Sequence, residues 1–236
     1  MEDLLGTMQE RHSTRAPFDP RKQVPKEDVR RILEAGRWAP TPHNMQNFEI
    51  IVIDDKKVLR QVGSITTYPS PDFIRENFAQ LSASEEELSR KKVGILGMGF
   101  PPAWREKAKL ETAIKEETNG TLDETIKGSP AVLIVLHDAR RRAPASEGDE
   151  LGTLGLGCMM ENMWLMAERL GVGFQIMSVF SDDSVQKDLK KLLNIPDHMA
   201  VSFAVRLGYP TRQYRYLRVR RDVASFAYGN RYGEEL

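Results

Sequence analysis

The chain has 236 residues, and 34 Lys and Arg balance 34 Asp and Glu, so its formal net charge at pH 7 is zero. That balance excludes the global positive field by which a protein binds nucleic acid or an acidic membrane, and any anion site must be local. A single cysteine, Cys158, excludes an internal disulfide and every cysteine-cluster metal site; in its apolar stretch it reads as a buried, inert side chain.

The first dozen residues lack the basic start and apolar run of a signal peptide, and nowhere do 18 apolar residues follow one another. A cytoplasmic protein without a membrane span is expected. Next comes Arg11-His12-Ser13-Thr14-Arg15-Ala16-Pro17-Phe18. An extended backbone sends alternate side chains to one face, which would align Arg11, Ser13 and Arg15. Two guanidinium forks and a hydroxyl suit an anion such as phosphate. A solvated surface loop is the other reading of the same residues.

A helix is expected to start at Val24-Pro25-Lys26, where proline and the acidic pair Glu27-Asp28 suit a first turn. Val29, Ile32, Leu33 and Gly36 keep its spacing, and Pro40 stops it through the residue before. Phe48 to Ile53 is a nearly continuous apolar run and reads as a buried strand, with a short helix to about Val62 behind it. Residues 64–128 read as a helical insertion. It holds a loop at Pro69 and Pro71, an amphipathic helix over 72–92, a break at Gly97 to Pro102 and a polar helix from Trp104 to Glu117. Phe100 and Trp104 flank the break, either as a lid over a ligand or as packing for the insertion.

Ala131 to Leu136 reads as a second buried strand, closed by His137-Asp138 and the basic turn Arg140-Arg141-Arg142, which no aromatic residue interleaves. From Asp149 to Leu170 apolar residues cover most of a helical circumference, which predicts a long helix buried on nearly all sides. Its Gly152, Gly155 and Gly157 lack the Lys-Ser/Thr pair of a phosphate loop and read as points of close approach by another helix. Gly171 predicts a left-handed cap. A strand over Phe174 to Val179, a helix over Ser184 to Leu193 and a strand over Met199 to Leu207 follow, and residues 210–236 read as an arm. No linker or repeat divides the chain, so one α+β domain over residues 1–236 is expected. His12, His43, His137 and His198 have no metal-ligand spacing, and no metal is expected.

Four segments taken together resemble the nitroreductase family of FMN-dependent oxidoreductases. They are Arg11 to Phe18 with Val24-Pro25 behind it, and Ala39-Pro40-Thr41-Pro42-His43-Asn44-Met45-Gln46-Asn47-Phe48. The third is the helix from Gly152 into Gly171-Val172-Gly173, and the fourth is Arg218-Val219-Arg220-Arg221-Asp222-Val223 with Asn230-Arg231-Tyr232-Gly233 behind it. The resemblance implies a three-layer α/β/α sandwich that forms a homodimer with FMN at the interface. It implies that Arg11, Ser13 and Arg220 hold the phosphate, with Arg218 as a second tail contact and Arg15 nearer the N1/O2 edge. His12 becomes a backbone or ribityl contact. Pro40, Thr41, Pro42, Asn44 and Gln46 would approach the cofactor across the interface. Met177, Ser178 and Val179 would line the flavin, with the Ser178 N–H facing N5.

The chain departs from the family pattern at Pro42, which replaces a small polar residue, and at Asn47-Phe48, where Pro-Trp is common. The implied activity is hydride transfer from NAD(P)H through flavin N5 to nitroaromatics, quinones or other planar electron-poor acceptors, with ping-pong kinetics. Alternatives that use the same flavin site are reductive dehalogenation, flavin or cofactor metabolism, and low-turnover redox binding.

Overall fold

A computed structural model describes residues 3–81, 84–92, 107–115, 120–138, 140–144, 148, 150–212 and 218–236. Phe100, Trp104 and the break between them lie outside the described residues. The chain forms two compact units, residues 1–67 with 120–213 and residues 68–119 with 214–236. In chain order the first unit opens with α1 (Leu4–Glu10), α2 (Lys26–Arg37), β1 (Phe48–Ile53), α3 (Lys56–Gly63) and β2 (Thr66–Thr67). The second unit holds α4 (Pro71–Leu81), α5 (Glu85–Lys91) and α6 (Lys107–Lys115). The first then resumes with β3 (Gly120–Thr121), α7 (Leu122–Ile126), β4 (Ala131–Asp138), α8 (Glu150–Arg169), β5 (Gly173–Met177), α9 (Asp183–Leu193) and β6 (Met199–Gly208).

In the first unit four strands form an antiparallel sheet in the order β1-β4-β6-β5, and β2 pairs with β3 in a separate two-stranded ribbon. Alternate residues of β4 face opposite ways. Val132, Ile134 and Leu136 pack with Val62 of α3, Leu122 of α7 and Leu189 of α9. Leu133 and Val135 pack with Ile32 of α2 and Met159 and Met163 of α8. Helices therefore cover both faces, giving the expected α/β/α layering, and β4 is buried throughout its first six residues. That double coverage is why its sequence reads as an unbroken apolar run rather than an alternating one. α3 begins at Asp55, whose carboxylate accepts from the N–H groups of Val58 and Lys57 at 2.9 and 2.8 Å. The two bonds, that from Val58 foremost, hold the Asp55 carboxyl below its ordinary range.

Several boundaries differ from expectation, each for a local reason. The helix expected over 72–92 is two helices, α4 and α5, the second capped by the Ser84 hydroxyl accepting from Glu87 N–H at 3.1 Å. The strand expected to reach Val179 ends at Met177, because Ser178–Ser181 turns into a 3-10 helix. β4 runs on through His137, which pairs with both β1 and β6, and Asp138, which pairs with Met199 of β6. Helix α1, which sequence reasoning missed, has Leu4 and Leu5 exposed and so carries no clear amphipathic signal. α8 is not buried on nearly all sides: Leu154 is 63% exposed and Leu151 40%, and Cys158 is exposed rather than buried. The sheet and α2 cover one side of this helix, and among the described residues of the first unit none buries the other side at these positions.

In the second unit Ile74 of α4 and Leu110 of α6 bury together, with Phe78 and Ile114 packed against them. Among the described residues no helix is long and apolar enough to cross a membrane.

Candidate functional site

Residues 11–18 lie extended beside the sheet. Thr14 N–H donates to the Phe174 carbonyl of β5 at 2.9 Å, and Phe174 N–H donates to Thr14 Oγ1 at 3.4 Å. Further along, Phe18 N–H donates to the Lys127 carbonyl at 3.1 Å. Thr14, Ala16 and Phe18 are buried while Arg15 and Pro17 are exposed, which is the alternation an extended segment requires.

The clamp on this segment is Arg206 of β6, fully buried, which sequence reasoning missed. Its guanidinium donates to the carbonyls of Thr14 and Ala16 at 2.9 and 2.7 Å, to Gln175 Oε1 at 2.8 Å and to the Ile126 carbonyl at 3.4 Å. It also lies 4.3 Å over the Phe18 ring. An arginine inside an apolar strand signals burial only through the odd charge it inserts there, and the chain has many other arginines.

Arg11 and His12 face a stripe of α8. Glu161, Trp164 and Glu168 are spaced three and four residues apart and so share one side of the helix. Arg11 Nε lies 3.2 Å from Glu161 Oε1, and its guanidinium carbon sits 4.2 Å over the Trp164 ring. Trp164 Nε1 donates to the His12 carbonyl at 3.2 Å, and its ring stacks on Phe174 at 5.2 Å. His12 Nδ1 lies 3.1 Å from the Glu10 carbonyl and 3.7 Å from Glu168 Oε2. Despite the nearby carboxylate, Arg11 Nε is buried with no hydrogen-bond acceptor in line.

Arg15 is joined by Lys127, a second residue that sequence reasoning missed. Lys127 is half-buried at the left-handed end of α7. Burial, then the charges of Arg206 and Arg15, hold its ammonium below the usual lysine range, and Glu124 opposes them. Arg15 and Lys127 are 112 positions apart in sequence, so no spacing pattern announces the pair.

The loop of Pro40, Thr41, Pro42, Asn44 and Gln46 is strained. His43, Asn44 and Gln46 have φ of 49°, 52° and 44°, a region that side-chain-bearing residues seldom adopt. Gln46 N–H donates to Thr41 Oγ1 at 3.2 Å, and Gln46 Nε2 donates to Asn44 Oδ1 at 3.0 Å, which leaves both amides on the exposed side. Such strain concentrates at functional loops. The loop rests on α8: a Cβ at Gly155 would come 3.3 Å from Pro42 Cδ and 3.5 Å from Thr41 Cα. Gly155 thus admits Thr41 and the one-turn 3-10 helix that Pro42 opens, a shorter element than the helix expected. At 1.5 Å per residue, Gly155 and Trp164 are about 14 Å apart along α8. One chain therefore presents Asn44 and Gln46 well away from Arg11.

Met177 is buried, Val179 half-buried and Ser178 exposed. Ser178 opens the 3-10 turn, so its N–H is one that the turn itself does not use. The Ser181 hydroxyl donates to the Ser178 carbonyl at 2.7 Å and steadies the turn.

The family model described as the nitroreductase family matches residues 8–209. The chain belongs to the nitroreductase family. A protein of Archaeoglobus fulgidus, provisionally named NADH dehydrogenase/NAD(P)H nitroreductase, is 23% identical over 210 residues, covering 89% of this chain and 87% of that protein. The crystal structure of a nitroreductase with bound FMN from Desulfitobacterium hafniense is similar with a TM-score of 0.58 at 19% identity, over 97% of this chain and 99% of that one. Another, with bound FMN from Bacteroides fragilis, has a TM-score of 0.55 at 20% identity, over 93% and 96% of the two chains. Likeness at this level shows the fold, and family membership makes the protein an oxidoreductase.

For a nitroreductase, the donor set along residues 11–15 fits a phosphate monoester. An orphaned buried guanidinium donor, the Ser13 hydroxyl and a second guanidinium lie within five residues of extended chain. The two tail arginines lie in the second unit, both exposed, and Arg220 Nη1 donates to the Val219 carbonyl at 2.7 Å. The Arg140-Arg141 turn lies at another end of the first unit and is occupied locally. Arg140 forms two bonds to Asp138 at 3.0 and 2.9 Å and so holds that carboxyl far below its ordinary range.

Proposed function

We propose that this nitroreductase is an FMN-dependent oxidoreductase that carries electrons from NAD(P)H to planar, electron-poor acceptors such as nitroaromatics or quinones. FMN, when bound, would supply two-electron hydride chemistry between a nicotinamide and an acceptor. The protein supplies binding, charge and orientation. Arg11 and Ser13 hold the phosphate. His12 lends its backbone, already anchored by Trp164. Arg15 and Lys127 place positive charge at the N1/O2 edge, where the reduced ring system becomes anionic. Ser178 N–H, flanked by Met177 and Val179, would be the donor to the flavin N5.

The reading includes a homodimer in which Pro40, Thr41, Pro42, Asn44 and Gln46 serve the partner's cofactor. Two features support it: Asn44 and Gln46 stand apart from Arg11 along α8, and Leu151 and Leu154 of that helix lie exposed with Leu4, Leu5 and Met8 of α1. Exposed apolar side chains on two touching helices favour an interface.

The observation that carries the reading is the buried, unsatisfied Arg11 donor within a family-matched segment. Purified protein is expected to show a flavin absorbance spectrum that anaerobic NADH or NADPH bleaches and a quinone restores. A protein that stays colourless when supplied with FMN, or whose bound flavin neither nicotinamide reduces, overturns it.

A further inference from the structure

Arg11 is held on two sides before any ligand arrives. Its Nε edge faces Glu161, and one face of its guanidinium lies on the Trp164 indole at 4.2 Å. Nε is nonetheless buried with no acceptor in line. Trp164 is itself fixed, by its N–H bond to the His12 carbonyl at 3.2 Å and by stacking on Phe174 with planes 19° apart. Phe174 in turn is bonded to Thr14, so the indole, the arginine and the backbone of the anion segment form one connected shelf.

A guanidinium on a flexible stem must be ordered when it binds an oxyanion, and that ordering weakens binding unless the protein has done it beforehand. Cation–π contact supplies such ordering without occupying any N–H donor. Glu161 contributes orientation at the Nε edge, but its carboxylate also repels a bound dianion. The indole carries no such opposing charge.

We propose that Trp164 is a positioning residue that sets the preference of this site for FMN over riboflavin. It holds the Arg11 guanidinium in the plane from which its N–H donors meet the phosphate. This rests on the reading of Arg11 as a phosphate contact, and the test separates the two. Riboflavin lacks only the phosphate, so the ratio of its dissociation constant to that of FMN isolates the Arg11 contribution from the fit of the ring system.

The experiment measures both constants by flavin fluorescence quenching on the flavin-stripped full chain. Trp164→Leu removes the ring face and is expected to lower the ratio about 10-fold, chiefly by weakening FMN. Trp164→Phe keeps a face for both Arg11 and Phe174 and should hold the ratio within about 3-fold of the original. Arg11→Ala should lower it furthest. Where Trp164→Leu does not fold, Trp164→Met, which also lacks a ring face, takes its place, and its effect on the ratio should vanish once Arg11→Ala is added. If Arg11→Ala lowers the ratio while the Trp164 variants leave it alone or weaken both flavins equally, the positioning role is overturned and the phosphate reading stands. If Arg11→Ala leaves the ratio unchanged, the phosphate reading itself fails.

Discussion

Arg206 donates to the Thr14 carbonyl at 2.9 Å across 192 positions of sequence. The bond ties the interior of β6 to the segment that carries Arg11, Ser13 and Arg15. Arg206→Met keeps the apolar stem but strips four carbonyl or amide acceptors of their donor in a buried place. Each such orphaned group costs about 1–3 kcal/mol. With partial relaxation, a net loss on the order of 3 kcal/mol is expected, or about 6–12 °C in melting temperature for a chain of this size. Thermal unfolding of the flavin-free protein measures it. An unchanged melting temperature would show that the clamp holds nothing.

Ser178 is proposed to act through its main chain, which separates two substitutions that usually travel together. Ser178→Ala keeps the N–H and should leave the rate of flavin reduction by NAD(P)H within about 2-fold, while Ser178→Pro removes the donor and should slow it by about 100-fold. The backbone tolerates proline there, because Met177 has φ −127° and ψ 98°, the extended geometry suited to the residue before a proline. Anaerobic stopped-flow absorbance reads both rates, and equal rates for the two variants would remove Ser178 from the mechanism.

Lys127 yields a prediction with a definite sign. Its folded-state value is lowered by burial and by Arg206 and Arg15, so between the folded and unfolded values the unfolded chain binds more protons. Stability from this group therefore rises as pH climbs through that interval. Lys127→Met relieves the strain, and the flavin-free variant should melt higher than the parent at pH 7. The gain should shrink as pH approaches about 10.4, where an unperturbed lysine loses its proton. Melting curves from pH 7 to 10.5 follow it, and a variant less stable at pH 7 would contradict the account. The same substitution should weaken retention of reduced FMN more than that of oxidised FMN.

Leu154 tests the proposed dimer. Leu154→Arg places a charge on the exposed apolar side of α8 without touching the covered side. The parent chain should sediment at twice its sequence mass of 26.8 kDa and the variant at one mass. A parent of single mass removes the partner-borne role of Asn44 and Gln46.

The composition and patterning of the chain determined its layers. β4 reads as a strand covered on both faces because every position from Ala131 to Leu136 is apolar, and α2 reads as amphipathic because Val29, Ile32 and Gly36 recur at helical spacing. The same local chemistry made Arg11, Ser13 and Arg15 legible, since alternation along an extended segment needs no knowledge of the fold. Cys158 and Leu154 were misread for a related reason: hydropathy reports what a side chain prefers, and α8 leaves a strip whose cover the first unit does not provide.

Partnership over long separations was left to the tertiary structure. Nothing near Trp164 says that its ring will lie under Arg11, 153 positions earlier, and nothing near Gly155 says that Thr41 and Pro42 will rest there. Arg206 looks like an error in an apolar strand until the carbonyls of Thr14 and Ala16 arrive to accept its hydrogen bonds. Backbone propensity and hydrophobic period act over a few residues and can be summed along the chain. The meeting of two distant polar groups depends on how whole layers stack, and only the folded chain decides that.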